Sequence, residues 1–267
     1  MIIDSHCHLD DRAFAPDRDK VLERAREAGV GAVLSIGTGD GPPDLEAAIR
    51  LADEYEPVYA TVGIHPHDAT KADEAAFENL RRLLDHPKVL AVGEIGLDFH
   101  YDNSPRVRQR EVFVRQMEIA LAAGKPIVIH ERDAWEDTLT LLDEYPVSVE
   151  QGCLLHCFVG NEEQAVQAVE RGFHVAYGGV LTFRRADDVR AGAERVPLER
   201  ILVETDAPYL TPAPHRKVRR NEPCYAVHTV RRLAELKGVG YEQVAAQTTR
   251  NFCDLFGLPA SGFGVYT

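Results

Sequence analysis

Six residues of the types that bind metal ions each stand at or near the end of a short apolar segment. The segments are IIDSHCH, VLAVGEIG, PIVIHE, CLLHCF and ILVETDAP, and the residues are His6, His8, Glu94, His130, His156 and Asp206. Imidazole nitrogens and carboxylate oxygens together suit divalent ions such as zinc, manganese or iron. Their recurrence at the ends of β-like segments predicts one mouth lined with metal ligands. That arrangement is typical of a metal-dependent hydrolase built on a (β/α) barrel.

The first pair of candidates, His6 and His8, is separated by one residue on a predicted strand. Side chains at positions i and i+2 of a strand point to the same face, so both imidazoles can reach one ion. Asp4 and Ser5 are candidates to support them by hydrogen bonds to the ligands. The alternative is a polar strand end followed by a helix cap at Asp10. The pair alone favours the metal site over that alternative.

Three further candidates close strands in the middle of the chain. Glu94 ends an apolar strand, where an unpaired carboxylate is expensive to bury, and its two oxygens can bridge two cations. An ion pair with an Arg or Lys of the barrel is the alternative for Glu94. His130 and His156 end two successive strands, and two imidazoles at one face of a barrel favour metal binding over a structural role.

The last strand carries a second pair, Glu204 and Asp206, in the sequence VETDAP. We expect one carboxylate to bind metal while the other orients water or a further ion. An Asp that closes the last strand can hold or deprotonate a metal-bound water, whose pKa a metal lowers toward about 7. The predicted catalytic residues are therefore Asp206, Glu204 and Glu94.

Substrate contacts are predicted from histidine and from local positive charge. His65 and His67 end the third strand, as metal ligands or as donors to a substrate oxygen, and we favour contact with a substrate or phosphate oxygen for His65. The segment 215–221 gathers positive charge after the last strand, where barrels frequently bind phosphate. Arg132, two residues after His130, is a second phosphate candidate. A solvated surface loop is the alternative for the basic segment.

The elements that must position these residues alternate regularly along the chain. Apolar runs predict strands at 2–7, 31–37, 58–64, 89–95, 126–130, 153–157, 174–178 and 201–205. Helical patterns fall near 18–28, 43–55, 72–85, 105–123, 135–144, 161–171, 186–195, 225–237 and 241–255. Alternating strands and helices imply a parallel sheet, and eight such units favour closure. The predicted fold is α/β, a TIM-like (β/α)8 barrel forming a single domain over residues 1–267.

Composition limits the partners of the chain. The 267 residues include 45% hydrophobic and 27% charged residues, which is ordinary for a globular protein. The net charge of −13 argues against a protein that coats nucleic acid over a wide face, although a strand end could still enter a locally basic site. No apolar run is long enough to span a bilayer. Five cysteines without disulfide spacing predict free thiols and a cytoplasmic setting.

Several motifs, in order along nearly the whole chain, resemble the TatD family of metal-dependent deoxyribonucleases. They are DSHCHLD at 4–10, VGIHPHD at 62–68, GEIGLDFHYD at 93–102, KPIVIHERDA at 125–134, LLHCFVG at 154–160, VETDAPYLTP at 203–212 and RRNEP at 219–223. The resemblance implies a TIM-like barrel with two divalent ions (zinc, manganese or magnesium). His6, His8, Glu94 and Asp206 would hold one ion, and Glu94, His130 and His156 the other.

The resemblance also implies a substrate. Family members are described as 3′→5′ exonucleases on single-stranded DNA, and some also act on RNA. The substrate contacts would be His65, Arg132, Arg219, Arg220, Asn221 and Glu222. The segment AYGGVLTF at 176–183 departs from the family pattern, which leaves the local pocket shape open. Alternatives are hydrolysis of an amide, an ester or an aminoacyl bond of tRNA at the same site, or a non-catalytic scaffold. We expect a monomer or a small homo-oligomer without a membrane partner.

Overall fold

The computed structural model describes residues 1–37, 39–145 and 151–264. Eight parallel strands form one sheet in the order of the sequence. They are β1 (Ile2–Cys7), β2 (Val30–Ser35), β3 (Val58–Val62), β4 (Val89–Asp98), β5 (Ile127–Arg132), β6 (Cys153–Leu155), β7 (His174–Tyr177) and β8 (Ile201–Val203). This sequential order, with helices between the strands, confirms the predicted TIM-like barrel fold.

The helices follow the predicted positions closely. They are α1 (Arg18–Glu27), α2 (Ala47–Glu54), α3 (Glu74–Leu83), α4 (Arg106–Ala123), α5 (Trp135–Glu144), α6 (Glu162–Glu170), α7 (Asp187–Arg195), α8 (Ala226–Lys237) and α9 (Tyr241–Phe256). Local chemistry explains several of the boundaries. Asp73 caps α3 by accepting from the Ala76 N–H, and Gly124 ends α4 in the left-handed conformation at φ 64°. None of the helices in the described ranges is long and apolar enough to cross a membrane.

The chain divides into two compact units. The terminal unit comprises Met1–Leu34 and Cys157–Thr267, and the central unit comprises Ser35–His156. The prediction of a single domain over residues 1–267 stays a prediction. All five cysteines are free thiols, as predicted, and Cys7, Cys153 and Cys253 are buried.

The central unit is organised around its longest strand, β4. All ten residues of β4 are buried, as expected for a strand of a parallel sheet covered on both faces. Its pairing with β5 shifts register between Gly93 and Ile95, which is a bulge at Glu94. Bulges re-aim a side chain relative to a regular strand. Glycine is required at Gly96, where φ is 137° and a Cβ would lie 2.1 Å from the His130 carbonyl oxygen.

The terminal unit joins the beginning and the end of the described chain. β7 pairs with β8, and a parallel bridge connects Cys7, the last residue of β1, with Ala207 beyond β8. Strand β8 ends at Val203, and not at 205 as predicted. Glu204 and Asp206 therefore follow the strand, and the expectation that the last strand carries both is wrong. Asp206 instead has a left-handed backbone at φ 53°, which Asp tolerates better than most residues.

Candidate metal centre

Three histidine side chains of the central unit converge on one carboxylate oxygen. Glu94 Oε1 lies 2.7 Å from His130 Nδ1 and 2.7 Å from His156 Nε2. His65 Nε2 lies 3.6 Å from the same oxygen. His130 lies near the end of β5, and His65 and His156 follow β3 and β6. Glu94 is the sixth of the ten residues of β4, so the prediction that it ends the strand is wrong, and its side chain is only 3% exposed. The structure thus brings together three predicted metal ligands and the predicted substrate contact His65.

The donor set suits a divalent ion. His130 Nδ1 and His156 Nε2 are 3.4 Å apart. Two nitrogens held about 2.1 Å from one tetrahedral ion are separated by about the same distance. Glu94, His130 and His65 also form a group whose ligand atoms all lie within 4.8 Å of one another. Imidazole nitrogens beside a carboxylate oxygen are the ligands that zinc, manganese and iron prefer.

The second nitrogen of His130 is held by a carboxylate that the sequence analysis missed. Asp98 is fully buried at the end of β4, and its Oδ2 lies 3.0 Å from His130 Nε2 and 2.9 Å from His67 Nε2. Its Oδ1 accepts the backbone N–H groups of His100 and Tyr101. A carboxylate on the far nitrogen of a ligand histidine fixes the orientation of the ring. Extending the predicted strand from 95 to 98 would have revealed this second acidic residue.

Burial and hydrogen bonding set the protonation of this cluster in opposite directions. Burial disfavours the charged ring of His130, but hydrogen bonds to Asp98 and Glu94 outweigh it and raise its pKa to about 9. Burial would raise the pKa of Asp98, but hydrogen bonds with His130 and His67 hold it well below its usual range. Because a metal ligand must be neutral imidazole, an ion that binds His130 displaces its proton.

His65 differs from His130 in the direction of its pKa shift. Burial lowers its pKa to about 4, so its ring is neutral at pH 7. Its Nδ1 accepts a hydrogen bond from the His67 backbone N–H at 3.1 Å, which leaves the ring proton on Nε2. A neutral ring with Nε2–H can donate to an oxygen atom of a ligand.

Two buried glutamines of α4 hold the backbone of these strand ends. Gln116 Oε1 accepts the Ile64 N–H at 2.7 Å, and Gln116 Nε2 donates to the Ile64 carbonyl at 3.0 Å. Gln109 makes the equivalent pair of bonds to Asp98, at 2.8 and 3.0 Å. The helix thereby fixes the backbone beside His65 and at Asp98.

The terminal unit brings together the other three predicted ligands. Asp206 Oδ1 lies 3.3 Å from His8 Nε2 and 3.8 Å from His6 Nε2. The rings of His6 and His8 are 5.2 Å apart. Backbone bonds from Asp206 N–H to the His6 carbonyl and from His8 N–H to the Ala207 carbonyl hold the two segments in register. Two imidazoles and a carboxylate again form a donor set for a divalent ion.

Asp4 also connects β1 with the segment that follows β8. Its carboxylate accepts from the Thr205 hydroxyl at 2.5 Å, from the Thr205 N–H at 2.9 Å and from the His6 N–H at 3.3 Å. Burial raises the pKa of Asp4 to about 7 despite these bonds. Asp4 thus holds the backbone at His6 and Thr205 and does not contact the rings of His6 or His8 in these bonds, and its support of metal ligands stays a prediction.

Glu204, a predicted catalytic residue, is fully buried in the terminal unit. Its Oε1 accepts the Cys157 backbone N–H at 2.7 Å, and Cys157 has a left-handed backbone at φ 44°. This bond fixes one oxygen of the carboxylate. The role of Glu204 toward water or an ion stays a prediction.

The predicted substrate contacts after β8 have structural partners. Arg220 forms ion pairs with Asp17 and Glu222, and Glu222 also pairs with Arg24. The amide of Asn221 donates to the Thr205 and Tyr209 carbonyls. These three side chains hold the loop after β8 onto α1 and onto the ligand segment. Arg219 is exposed, and contact of any of the four with substrate stays a prediction.

Arg132 is exposed at the end of β5, with its guanidinium 4.7 Å from the centre of the Tyr101 ring. An arginine over the face of a tyrosine is a cation–π contact. Arg132 thus stands beside the Glu94 cluster with Tyr101, a residue for which the sequence analysis predicted no role.

Eight parallel strands in sequential order, with a cluster of imidazoles and carboxylates in each unit, define the barrel class of metal-dependent hydrolases. The family model of TatD-related DNases matches residues 3–257. The chain belongs to the TatD family. It is a metal-dependent hydrolase acting on ester bonds, as predicted.

Relatives and solved structures agree with this assignment. An uncharacterized metal-dependent hydrolase of Bacillus subtilis, YabD, is 38% identical over 96% of this chain and 99% of its own length. The 3′-5′ ssDNA/RNA exonuclease TatD of Shigella flexneri is 37% identical over 96% of this chain and 99% of its own. The crystal structure of YJJV, a TatD homologue from Escherichia coli, matches with a TM-score of 0.88 and 30% identity, over 97% of this chain and 98% of that one.

Proposed function

We propose that this protein is a nuclease that removes nucleotides from the 3′ end of single-stranded DNA. The observation that carries the proposal is the convergence of His130 and His156 on one oxygen of Glu94, a donor set for a hydrolytic metal ion. The relatives named 3′-5′ ssDNA/RNA exonuclease support phosphodiesters as the substrate class. RNA with a free 3′ end is included in that class.

The ligand sets of the two units suggest two ions. Glu94, His130 and His156 would hold one, and His6, His8 and Asp206 would hold the other. Sharing of Glu94 between the ions stays a prediction from the family resemblance. Bound divalent ions lower the pKa of a coordinated water and neutralise charge that develops on a phosphate.

The residues of this chain would orient the water and bind the phosphate. Asp206, held by its backbone bond to the His6 carbonyl, would accept the proton of the attacking water. Glu204, held by the Cys157 N–H, would orient that water. His65, neutral and protonated on Nε2, would donate to a non-bridging phosphate oxygen, where negative charge increases in the transition state.

The test is a nuclease assay on single- and double-stranded oligonucleotides, blocked at either the 3′ or the 5′ end. Protein reloaded with Mg²⁺, Mn²⁺ or Zn²⁺ should release mononucleotides from single strands with a free 3′ end. A chelator or Asp206→Asn should abolish the release. If the metal-loaded protein releases no nucleotides, or if Asp206→Asn keeps full activity, the proposal is wrong. Turnover of an amide or ester panel by a protein inactive on oligonucleotides would indicate the alternative substrates instead.

A further inference from the structure

An exposed aromatic ring stands beside the histidine cluster of the central unit. Among the described residues, Tyr101 and Tyr209 are the tyrosines with more than half of their surface exposed, and Tyr101 is 55% exposed. Tyr101 lies three residues beyond Asp98, in the segment that follows β4. A large ring left in water at this position is available to an incoming ligand.

The Tyr101 ring is held in place by its neighbours. Its backbone N–H donates to Asp98 Oδ1 at 2.8 Å. The ring stands at 90° to the ring of His67, 5.5 Å away, and at 89° to the ring of His100, 4.8 Å away. The Arg132 guanidinium lies 4.7 Å from its centre. A ring fixed in this way loses little conformational entropy when a ligand stacks on it.

The same contacts connect Tyr101 to the candidate metal ligands. Asp98 accepts the Tyr101 N–H on one carboxylate oxygen and contacts His130 and His67 with the other. His65 and His130, in turn, have ring centres 4.6 Å apart. Tyr101 is therefore positioned by the group that orients a metal ligand, and a ligand lying on Tyr101 lies next to that centre.

We propose that Tyr101 is a stacking platform for one nucleobase of the substrate strand, with Arg132 contacting the adjoining phosphate. The inference rests on the proposed nuclease function and extends it to base contacts. Stacking on an aromatic ring accepts every base, because each has a π-face, and it contributes about 1–3 kcal/mol per base. Arginine beside such a ring is suited to phosphate. A platform of this kind would bind any base and would not distinguish one sequence from another.

The competing explanation is that Tyr101 only supports its neighbours. In that case removal of the ring would displace Arg132 or His67 and slow hydrolysis of every substrate by the same factor. A stacking role predicts a loss only when a base is present to stack. An oligonucleotide that lacks a single base distinguishes the two.

The experiment compares single-stranded oligonucleotides that differ only in an abasic tetrahydrofuran residue at the first, second or third position from the 3′ end. Tyr101→Ala should lower kcat/KM on the complete strand by about 5- to 150-fold, which corresponds to the loss of one stacked base. On the strand that lacks the stacked base, wild type and Tyr101→Ala should be equally slow. Tyr101→Trp should keep the wild-type preference for the complete strand.

Val107→Ala is the control, because Val107 is 65% exposed in the first turn of α4 and should keep wild-type kinetics. An equal loss for Tyr101→Ala on complete and abasic strands, or no loss on either, overturns the inference while the nuclease function stands. A wild-type protein that releases nucleotides from none of these strands refutes the proposed function instead.

Discussion

At the scale of single residues, Asp98 determines which nitrogen of His130 faces Glu94. The carboxylate occupies Nε2, so Nδ1 is directed at Glu94 Oε1, 2.7 Å away. Without Asp98 the ring could rotate, and its lone pair would no longer be presented in one direction. Partners of this kind matter to a metal site nearly as much as the ligands do.

Asp98→Asn should therefore weaken metal binding by about 10- to 100-fold, because the amide loses the charge that orients and polarises the ring. Calorimetric titration of chelator-stripped protein with Zn²⁺ and with Mn²⁺ measures the affinity directly. Asp133→Asn is the matched control, since Asp133 pairs with His100 at the surface and is 68% exposed. Equal affinities for Asp98→Asn and wild type would contradict the role given to Asp98.

His174, at the start of β7, is a second residue whose environment changes its pKa. Burial lowers its pKa to about 4, with Arg200 adding to the effect. The folded state thus prefers the neutral ring. The contribution of His174 to stability is fully present above the unfolded pKa of about 6.5 and decreases as the pH falls toward 4. As the pH falls from 7 to 5, His174 should lower the free energy of unfolding by about 2 kcal/mol.

Urea denaturation of wild type and His174→Gln at pH 7 and pH 5 tests that expectation. The variant, which cannot take up the proton, should lose about 2 kcal/mol less than wild type over this interval. Parallel losses in the two proteins would mean that the ring is not kept neutral by its surroundings.

Residue types and strand-end positions were enough to predict side chains that the structure brings together within each unit, because few other roles place imidazoles and carboxylates there. The partners of the basic loop could not be predicted in the same way. Arg220 and Glu222 pair with Asp17 and Arg24, about two hundred residues earlier, and no local pattern reports such a contact. A charge run therefore predicts positive potential but not whether folding has already neutralised it.

At the scale of elements, α4 is more than a cover for β4. Gln109 and Gln116 are seven residues apart, close to two helical turns, so both lie on the buried face. Each satisfies both the N–H and the carbonyl of a strand-end residue, Asp98 and Ile64 respectively. The helix thus sets the spacing of the ends of β3 and β4, which carry His65 and Asp98.

Gln116→Ala should be strongly destabilising, because it leaves two buried polar groups of Ile64 without their partner. The cost is about 1–3 kcal/mol for each group. Glu118→Ala, two residues along the same helix and exposed, should change stability by less than about 0.5 kcal/mol. Urea denaturation of both variants measures the difference. Similarly small effects of the two substitutions would refute the role given to Gln116.

Periodicity predicted the existence and type of the strands and helices, since apolar runs and amphipathic patterns report burial directly. It could not predict the bulge at Glu94 or the early end of β8, because both depend on pairing between strands. These two irregularities set the directions of the Glu94 and Asp206 side chains. The candidate site is therefore least predictable where it departs from regular secondary structure.

At the scale of the whole molecule, charge opposes the proposed substrate. The chain has 43 acidic and 30 basic residues, so nucleic acid is repelled from most of its surface. Local positive charge at exposed Arg132 and Arg219, together with bound metal ions, would have to attract the phosphates. We therefore expect the protein to contact only a few phosphates at the end of a strand.

The salt dependence of kcat/KM on a single-stranded oligonucleotide should accordingly be shallow. Each phosphate contact contributes about −0.7 to the slope of log affinity against log salt concentration, so the slope should lie between 0 and about −2. Arg132→Gln should reduce its magnitude by about 0.7, while Arg195→Gln, which removes an exposed pair with Glu162, should not. A slope steeper than about −5 would require a wide phosphate-binding face, which the net charge of −13 does not favour.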